Sequence, residues 1–178
     1  MLERRIKKEY PLKVTVENPV ERFQYKFAKE ALAKIKPDDR IKLDASHVGL
    51  TISAVYEHDI EKVVDQLKKS FPNLALGKLR IMYIEGPPAL EPYMDLTVLT
   101  PAEFVGAICA DLNQRNAVIM HIGDAESAKV VKSEAPLSEI LGYAHDLRHM
   151  TSGRGSFRVD FCEYKPGHGG GPGPQDVA

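Results

Sequence analysis

The stretch Met94-Asp95-Leu96-Thr97-Val98-Leu99-Thr100-Pro101-Ala102-Glu103-Phe104 changes its period at Thr100. Before that residue, Met94, Leu96 and Val98 recur at every second position, the spacing of a strand with one buried face. After it, Phe104, Val105, Ile108 and Leu112 recur at helical spacing. At the junction, Thr100 reads as an N-cap, Pro101 as the first helical residue and Glu103 as the third, so a capping box is expected. Downstream, Ala117 to Ile122 and Lys129 to Ser133 read as a hairpin around Gly123-Asp124-Ala125. A helix then begins near Pro136 and carries Ile140, Leu141, Ala144 and Leu147. Gly153-Arg154-Gly155 ends it, and Phe157, Val159 and Phe161 alternate as a last strand. The order is βαββαβ.

Upstream, the same order is spelled a second time. Leu12, Val14 and Val16 alternate as a strand that stops at Asn18-Pro19. Phe23, Phe27, Leu32 and Ile35, with Ala28 and Ala31, mark a helix closed by Lys36-Pro37-Asp38-Asp39. Strands from Arg40 to Ala45 and Val48 to Ala54 flank Ser46-His47, which is short enough for a hairpin turn. Ile60, Val63, Val64, Leu67 and Phe71 mark a second helix, and Leu79, Ile81 and Tyr83 a final strand. The fold class expected is α+β: two tandem ferredoxin-like βαββαβ domains, each an antiparallel sheet with two helices on one face. Gly86-Pro87-Pro88 is the natural boundary, because prolines cannot continue a central strand. The expected organisation is an N-terminal segment over residues 1–9, one domain over 10–85, a second over 86–165, and a Gly/Pro-rich tail over 166–178 with too little apolar content to fold.

The chain has 178 residues, 43% of them hydrophobic, enough for two small cores. The formal net charge is −1. Lys and Arg outnumber Asp and Glu up to Pro88, and the reverse holds beyond it. A uniformly basic nucleic-acid binder is therefore excluded, and any RNA contact must be a local patch. Cys109 and Cys162 are too few for a disulfide scaffold, which points to a reducing cytoplasm. No apolar run approaches bilayer length, so no membrane is expected as a partner.

Residues 86–166 resemble the fifth domain of elongation factor G and of the tetracycline ribosomal protection proteins. The resemblance is carried by Leu90-Glu91-Pro92-Tyr93-Met94, Thr100-Pro101-Ala102-Glu103-Phe104, Asp111-Leu112-Asn113, Ala135-Pro136-Leu137-Ser138-Glu139, Gly142-Tyr143-Ala144-His145-Asp146-Leu147-Arg148 and Thr151-Ser152-Gly153-Arg154-Gly155-Ser156-Phe157. The first half resembles the family's third domain through Tyr56-Glu57-His58-Asp59-Ile60-Glu61, Val64-Asp65-Gln66-Leu67-Lys68-Lys69 and Gly77-Lys78, with Tyr56 where the family has glycine and Asp59 where it has histidine. In the family a further domain lies between these two, whereas here Tyr83-Ile84-Glu85 runs directly into Gly86-Pro87-Pro88. No Gly-rich loop ending in Lys-Ser/Thr occurs in the 178 residues, so no nucleotide, no cofactor and no GTP hydrolysis by that route is expected.

What the resemblance implies is a non-enzymatic protein that binds the ribosome near the elongation factor site, with the large-subunit rRNA and its stalk-base protein as partners of the second domain and the small subunit as partner of the first. The corresponding surface comprises His145, Arg148, His149, Thr151, Ser152, Gly153, Arg154 and Gly155, with Asn113 and Arg115 as further candidates. Arginines pair with phosphates in a bidentate way, and glycines let the backbone approach them. Gly153 and Gly155 read equally as turn glycines before a core strand.

Other signals compete. Asn116 reads as a helix C-terminal cap as well as an RNA contact. His145 and His149, at i and i+4 around Asp146, superficially copy a zinc helix, but a third ligand is wanting and neither Cys162 nor His168 is well placed, so a solvated helix face is preferred. Cys109 reads as a buried thiol. Arg4, Arg5, Lys7 and Lys8 read as a frayed terminus. The alternative to ribosome binding is a protein-interaction or oligomerisation module, including a homodimer, since sheets of this type offer edges and one open face.

Overall fold

The computed structural model describes residues 9–167. The basic N-terminal cluster and nearly all of the Gly/Pro-rich tail, His168 included, lie outside that range. The chain divides between Tyr83 and Ile84 into two compact units, each considered by itself. The boundary thus precedes Gly86-Pro87-Pro88, because Ile84 and Leu90 exchange two backbone hydrogen bonds at 2.9 Å and draw the proline segment into the second unit.

The first unit runs β1 (Leu12–Glu17), α1 (Gln24–Leu32), β2 (Ile41–Ser46), β3 (Gly49–Ala54), α2 (Glu57–Lys68), β4 (Ala75–Leu76) and β5 (Arg80–Ile81). Its antiparallel sheet has the order β2-β3-β1-β4, with β5 also on β1. One face packs on the helices: Leu12, Val14 and Val16 of β1 and Leu50 and Ile52 of β3 meet Phe27, Ala28 and Ala31 of α1 and Val63, Val64 and Leu67 of α2, all buried. Burying a large apolar side chain contributes about 1.5–3 kcal/mol, so this layer is the unit's main stabilisation. Asp59, only 3% exposed, ties α2 to the sheet. Its carboxylate accepts from the Tyr56 amide at 3.2 Å and from Arg40 Nε at 2.9 Å.

Three local expectations shift. Phe23 lies outside the core at 65% exposure, because α1 starts one residue later. The hairpin turn is His47-Val48 rather than Ser46-His47, since Ser46 already pairs with Gly49. Gly49 takes φ 129°, and a Cβ there would stand 2.4 Å from the Val16 carbonyl oxygen, so only glycine fits. The last strand is two short pieces, not one through Leu79 and Tyr83: the Gly77 amide donates to the Thr15 carbonyl at 2.8 Å, and the backbone leaves the ladder there before rejoining it at Arg80.

The second unit runs β6 (Leu90–Thr100), a 3-10 turn (Ala102–Phe104), α3 (Val105–Gln114), β7 (Val118–Ala125), β8 (Ala128–Pro136), α4 (Leu137–Ile140), α5 (Tyr143–Met150) and β9 (Ser156–Pro166). The sheet order β7-β8-β6-β9 is the same arrangement, with the first strand between the third and fourth. Met94, Leu96 and Val98 of β6 form the core with Ile108, Leu112, Val131, Ala135, Leu137, Ile140, Tyr143, Leu147 and Val159. Both units are ferredoxin-like α+β folds.

The capping box expected at Thr100 does not form. Thr100 is still in the ladder opposite Lys129, nearly fully buried, and its hydroxyl donates to the Pro101 carbonyl at 3.3 Å. Phe104 and Val105 are consequently only half-buried. The second hairpin is longer than expected and turns at Glu126-Ser127, with Glu126 at φ 49°. The single helix expected from Pro136 is two, because Leu141 is extended at ψ 136° and Gly142 is left-handed at φ 74°. That break rotates the following turn, so Tyr143 is buried and Ala144 is exposed.

Candidate functional site

The end of α5 is a built turn. Gly153 N–H donates to the Arg148 carbonyl at 2.8 Å and Ser152 N–H to the His149 carbonyl at 3.3 Å, the paired bonds of a Schellman motif. Ser152 and Gly153 both sit at positive φ, 51° and 77°. Thr151, fully buried, locks the far side: its hydroxyl donates to the Leu147 carbonyl at 2.7 Å and accepts from the Gly155 amide at 2.9 Å. A Cβ on Gly155 would stand 2.8 Å from Thr151 Cγ2. The turn reading of the two glycines is therefore correct.

This frame sets out the polar side chains. His145, Arg148, His149, Ser152 and Arg154 are exposed, and the two histidine rings lie edge to face with centroids 4.4 Å apart. Arg154 is not loose: it pairs with Glu103, and its guanidinium lies 4.7 Å over the Phe104 ring. Nothing in the local sequence signals that pair, whose members are 51 residues apart. Thr151 supports the turn from inside rather than facing solvent.

Asn113 is exposed near the end of α3. Arg115 is different, with its side chain only 17% exposed. Nε donates to Asp111 at 2.8 Å, Nη1 to the Glu139 carbonyl at 3.0 Å and Nη2 to Asp146, while the guanidinium lies 5.2 Å over Tyr143. Burial works against its charge, but the hydrogen bonds to Asp111 and Asp146 outweigh it and raise its pKa. Arg115 thereby joins α3 to both helices before β9. Tyr143 beneath it is fully buried, with no hydrogen-bond partner for its hydroxyl among the described residues, and burial followed by the Asp111 charge raises its pKa. Asn116, at φ 57°, provides the left-handed residue of a second Schellman turn, in which Ala117 N–H donates to the Leu112 carbonyl at 3.0 Å. The capping reading of Asn116 holds.

Cys109 is half-buried. Cys162 stands apart from the histidine pair, joining Asp95 and Glu134 with ligand atoms within 4.8 Å of one another. Burial, then the Asp95 charge, pushes its thiol up to about 12, and Lys165 pairs with Glu134. A protonated thiol beside an ammonium group is a poor donor set for a cation.

Among the described residues no helix is long and apolar enough to cross a membrane. The family described as elongation factor G C-terminus matches residues 89–170. A crystal structure of a protein from Thermus thermophilus superposes with a TM-score of 0.59 at 15% identity, over 89% of this chain and 41% of that one. The chain thus spans about two-fifths of the length of that structural neighbour, and the likeness is one of fold. The second unit, a translation-factor-like module that ends in the Thr151–Gly155 turn and β9, is similar over residues 89–170 to the elongation factor G C-terminus family.

Proposed function

We propose that this chain binds the ribosome at or near the elongation factor site, without chemistry of its own, and that the turn closing α5 meets large-subunit rRNA and the stalk-base protein. The observation that carries this reading is the exposure of Arg148, Arg154, His145 and His149 on a turn whose backbone is fixed by Thr151 and Gly155. A rigid turn loses little conformational entropy on docking, and guanidinium groups match phosphate geometry. Arg115 holds the helices that present this surface. The role is a cytoplasmic one that needs no nucleotide. Pelleting the protein with purified ribosomes over a salt series tests the reading: binding should saturate and weaken steeply with salt. Binding that never saturates, or that ignores salt, would contradict it.

A second reading rests on β7, the sheet edge of the second unit, where Val118, Met120 and Ile122 are 55%, 68% and 49% exposed. An apolar edge suits pairing with another chain, including a second copy. Size in solution distinguishes the two, since a tight dimer that leaves ribosomes unbound favours edge pairing.

A further inference from the structure

The two faces of the first unit's sheet differ in chemistry. Leu12, Val14 and Val16 occupy the helix-covered face of β1, so Lys13, Thr15 and Glu17 occupy the other. The register then aligns side chains across four strands. Lys42 of β2 stands opposite Ser53 of β3, Ser53 opposite Lys13 of β1, and Lys13 opposite Arg80 of β5. Three cations thus share one row about 15 Å long, at about 5 Å per strand. Thr15, Thr51 and Asp44 make the next row, and Glu17 lies beyond it opposite Ala75. The carboxylates of this face therefore sit to one side of the cationic row. Lys42 and Arg80 are exposed and Lys13 half-buried, and neither Lys13 nor Lys42 has an ion pair among the described residues.

Lys13 and Lys42 flank Ser53 in this row without an ion pair among the described residues, so an anionic partner would neutralise them. We propose that this row is a second nucleic-acid contact, independent of the α5 turn, that grips the sugar-phosphate backbone of an RNA duplex. The composition of the face selects this partner. These three rows hold polar and small side chains but no aromatic or large aliphatic one, the half-buried Met82 standing beyond them where its amide meets the Pro11 carbonyl. A protein interface relies on a desolvated apolar or aromatic centre, which is missing here. Single-stranded RNA is held by bases stacked on aromatic rings, also missing. A duplex presents a dense line of phosphates and needs neither; the half-buried hydroxyls of Thr15 and Thr51 add hydrogen bonds to phosphate and 2′-OH groups.

The test uses the full chain and a labelled 20-base-pair RNA duplex of arbitrary sequence. The double variant Lys13→Gln/Lys42→Gln should bind about tenfold more weakly, with the slope of log affinity against log salt reduced by about 2. Lys13→Arg/Lys42→Arg should bind like the parent, and all three proteins should melt together. The same loss should recur in an Arg148→Ala/Arg154→Ala background, which separates this contact from the α5 turn. Unchanged affinity and slope in the Gln variant would overturn the proposal. So would a loss confined to polyglutamate binding, which would mark the face as a site for acidic protein, or an equal loss in the Arg variant.

Discussion

The Thr151 hydroxyl accepts the Gly155 amide at 2.9 Å, and with the Arg154 amide donating to the Thr151 carbonyl at 3.0 Å this bond closes the turn that carries Arg154. Because Thr151 simultaneously donates to the Leu147 carbonyl, the turn is anchored to α5 and not only to itself. The exposed arginines thus rest on a buried threonine.

Gly155→Ala and Gly142→Ala should both destabilise the protein, for different reasons. At Gly155 a Cβ meets Thr151 Cγ2 at 2.8 Å, so the turn must shift, at a cost of about 1–3 kcal/mol. At Gly142 nothing lies within 4 Å, and the cost is the left-handed backbone alone, about 1–2 kcal/mol. Denaturant titration checks both. Ribosome binding should fall only for Gly155→Ala, the substitution that moves the arginine-bearing turn.

Arg115→Met removes the donor shared by Asp111, Asp146 and the Glu139 carbonyl while keeping most of the side-chain volume. Because Asp146 is 46% exposed, solvent recovers part of the loss, and a destabilisation of about 1–3 kcal/mol is expected. A melting temperature equal to the parent's would show the network to be inert.

Asp95 is exposed, yet the packing around its carboxylate strips part of its hydration and, with the Glu134 and Asp160 charges and against the Cys162 hydrogen bond, raises its pKa above the ordinary 3.8, so the effect on stability is small. A carboxyl group whose folded pKa is raised favours the folded state while protonated. That contribution is present below pH 3.8 and is lost as pH rises through the folded value. Asp95→Asn should therefore raise the melting temperature at about pH 7, with the advantage vanishing near pH 3. Melting curves at the two pH values decide the matter, and an advantage confined to acid would reverse the sign.

Cys162, with its thiol pushed up to about 12 by burial and by Asp95, should remain protonated at pH 8. Since the thiolate is the nucleophile, iodoacetamide should label it more slowly than an unfolded-state cysteine in the same chain. Mass spectrometry of native and denatured protein gives the comparison, and equal rates would contradict the assignment.

Residue spacing alone carried the βαββαβ order of both units, because each sheet buries one face and each helix one stripe. Val14, Leu96 and Leu147 are core residues for that reason. Finer features escaped wherever backbone outweighed pattern. Gly142 looks like an ordinary residue between apolar neighbours, yet its left-handed φ splits a helix and buries Tyr143. Thr100 has the sequence of a cap, but the β6–β8 ladder holds it in the strand. At the candidate surface Gly153 and Asn116 were readable, since left-handed positions have a strong residue preference. The pairing of Arg154 with Glu103 and of Arg115 with Asp146 was not, since each joins segments that only the fold brings together.

Ribosome docking as proposed depends most on the arginines of the α5 turn, and ribosome affinity of the Arg148→Ala/Arg154→Ala double variant measures their part directly. The predicted result is a loss of about tenfold or more at moderate salt, with a shallower salt dependence and an unchanged melting temperature. Affinity equal to the parent's at every salt concentration would contradict it.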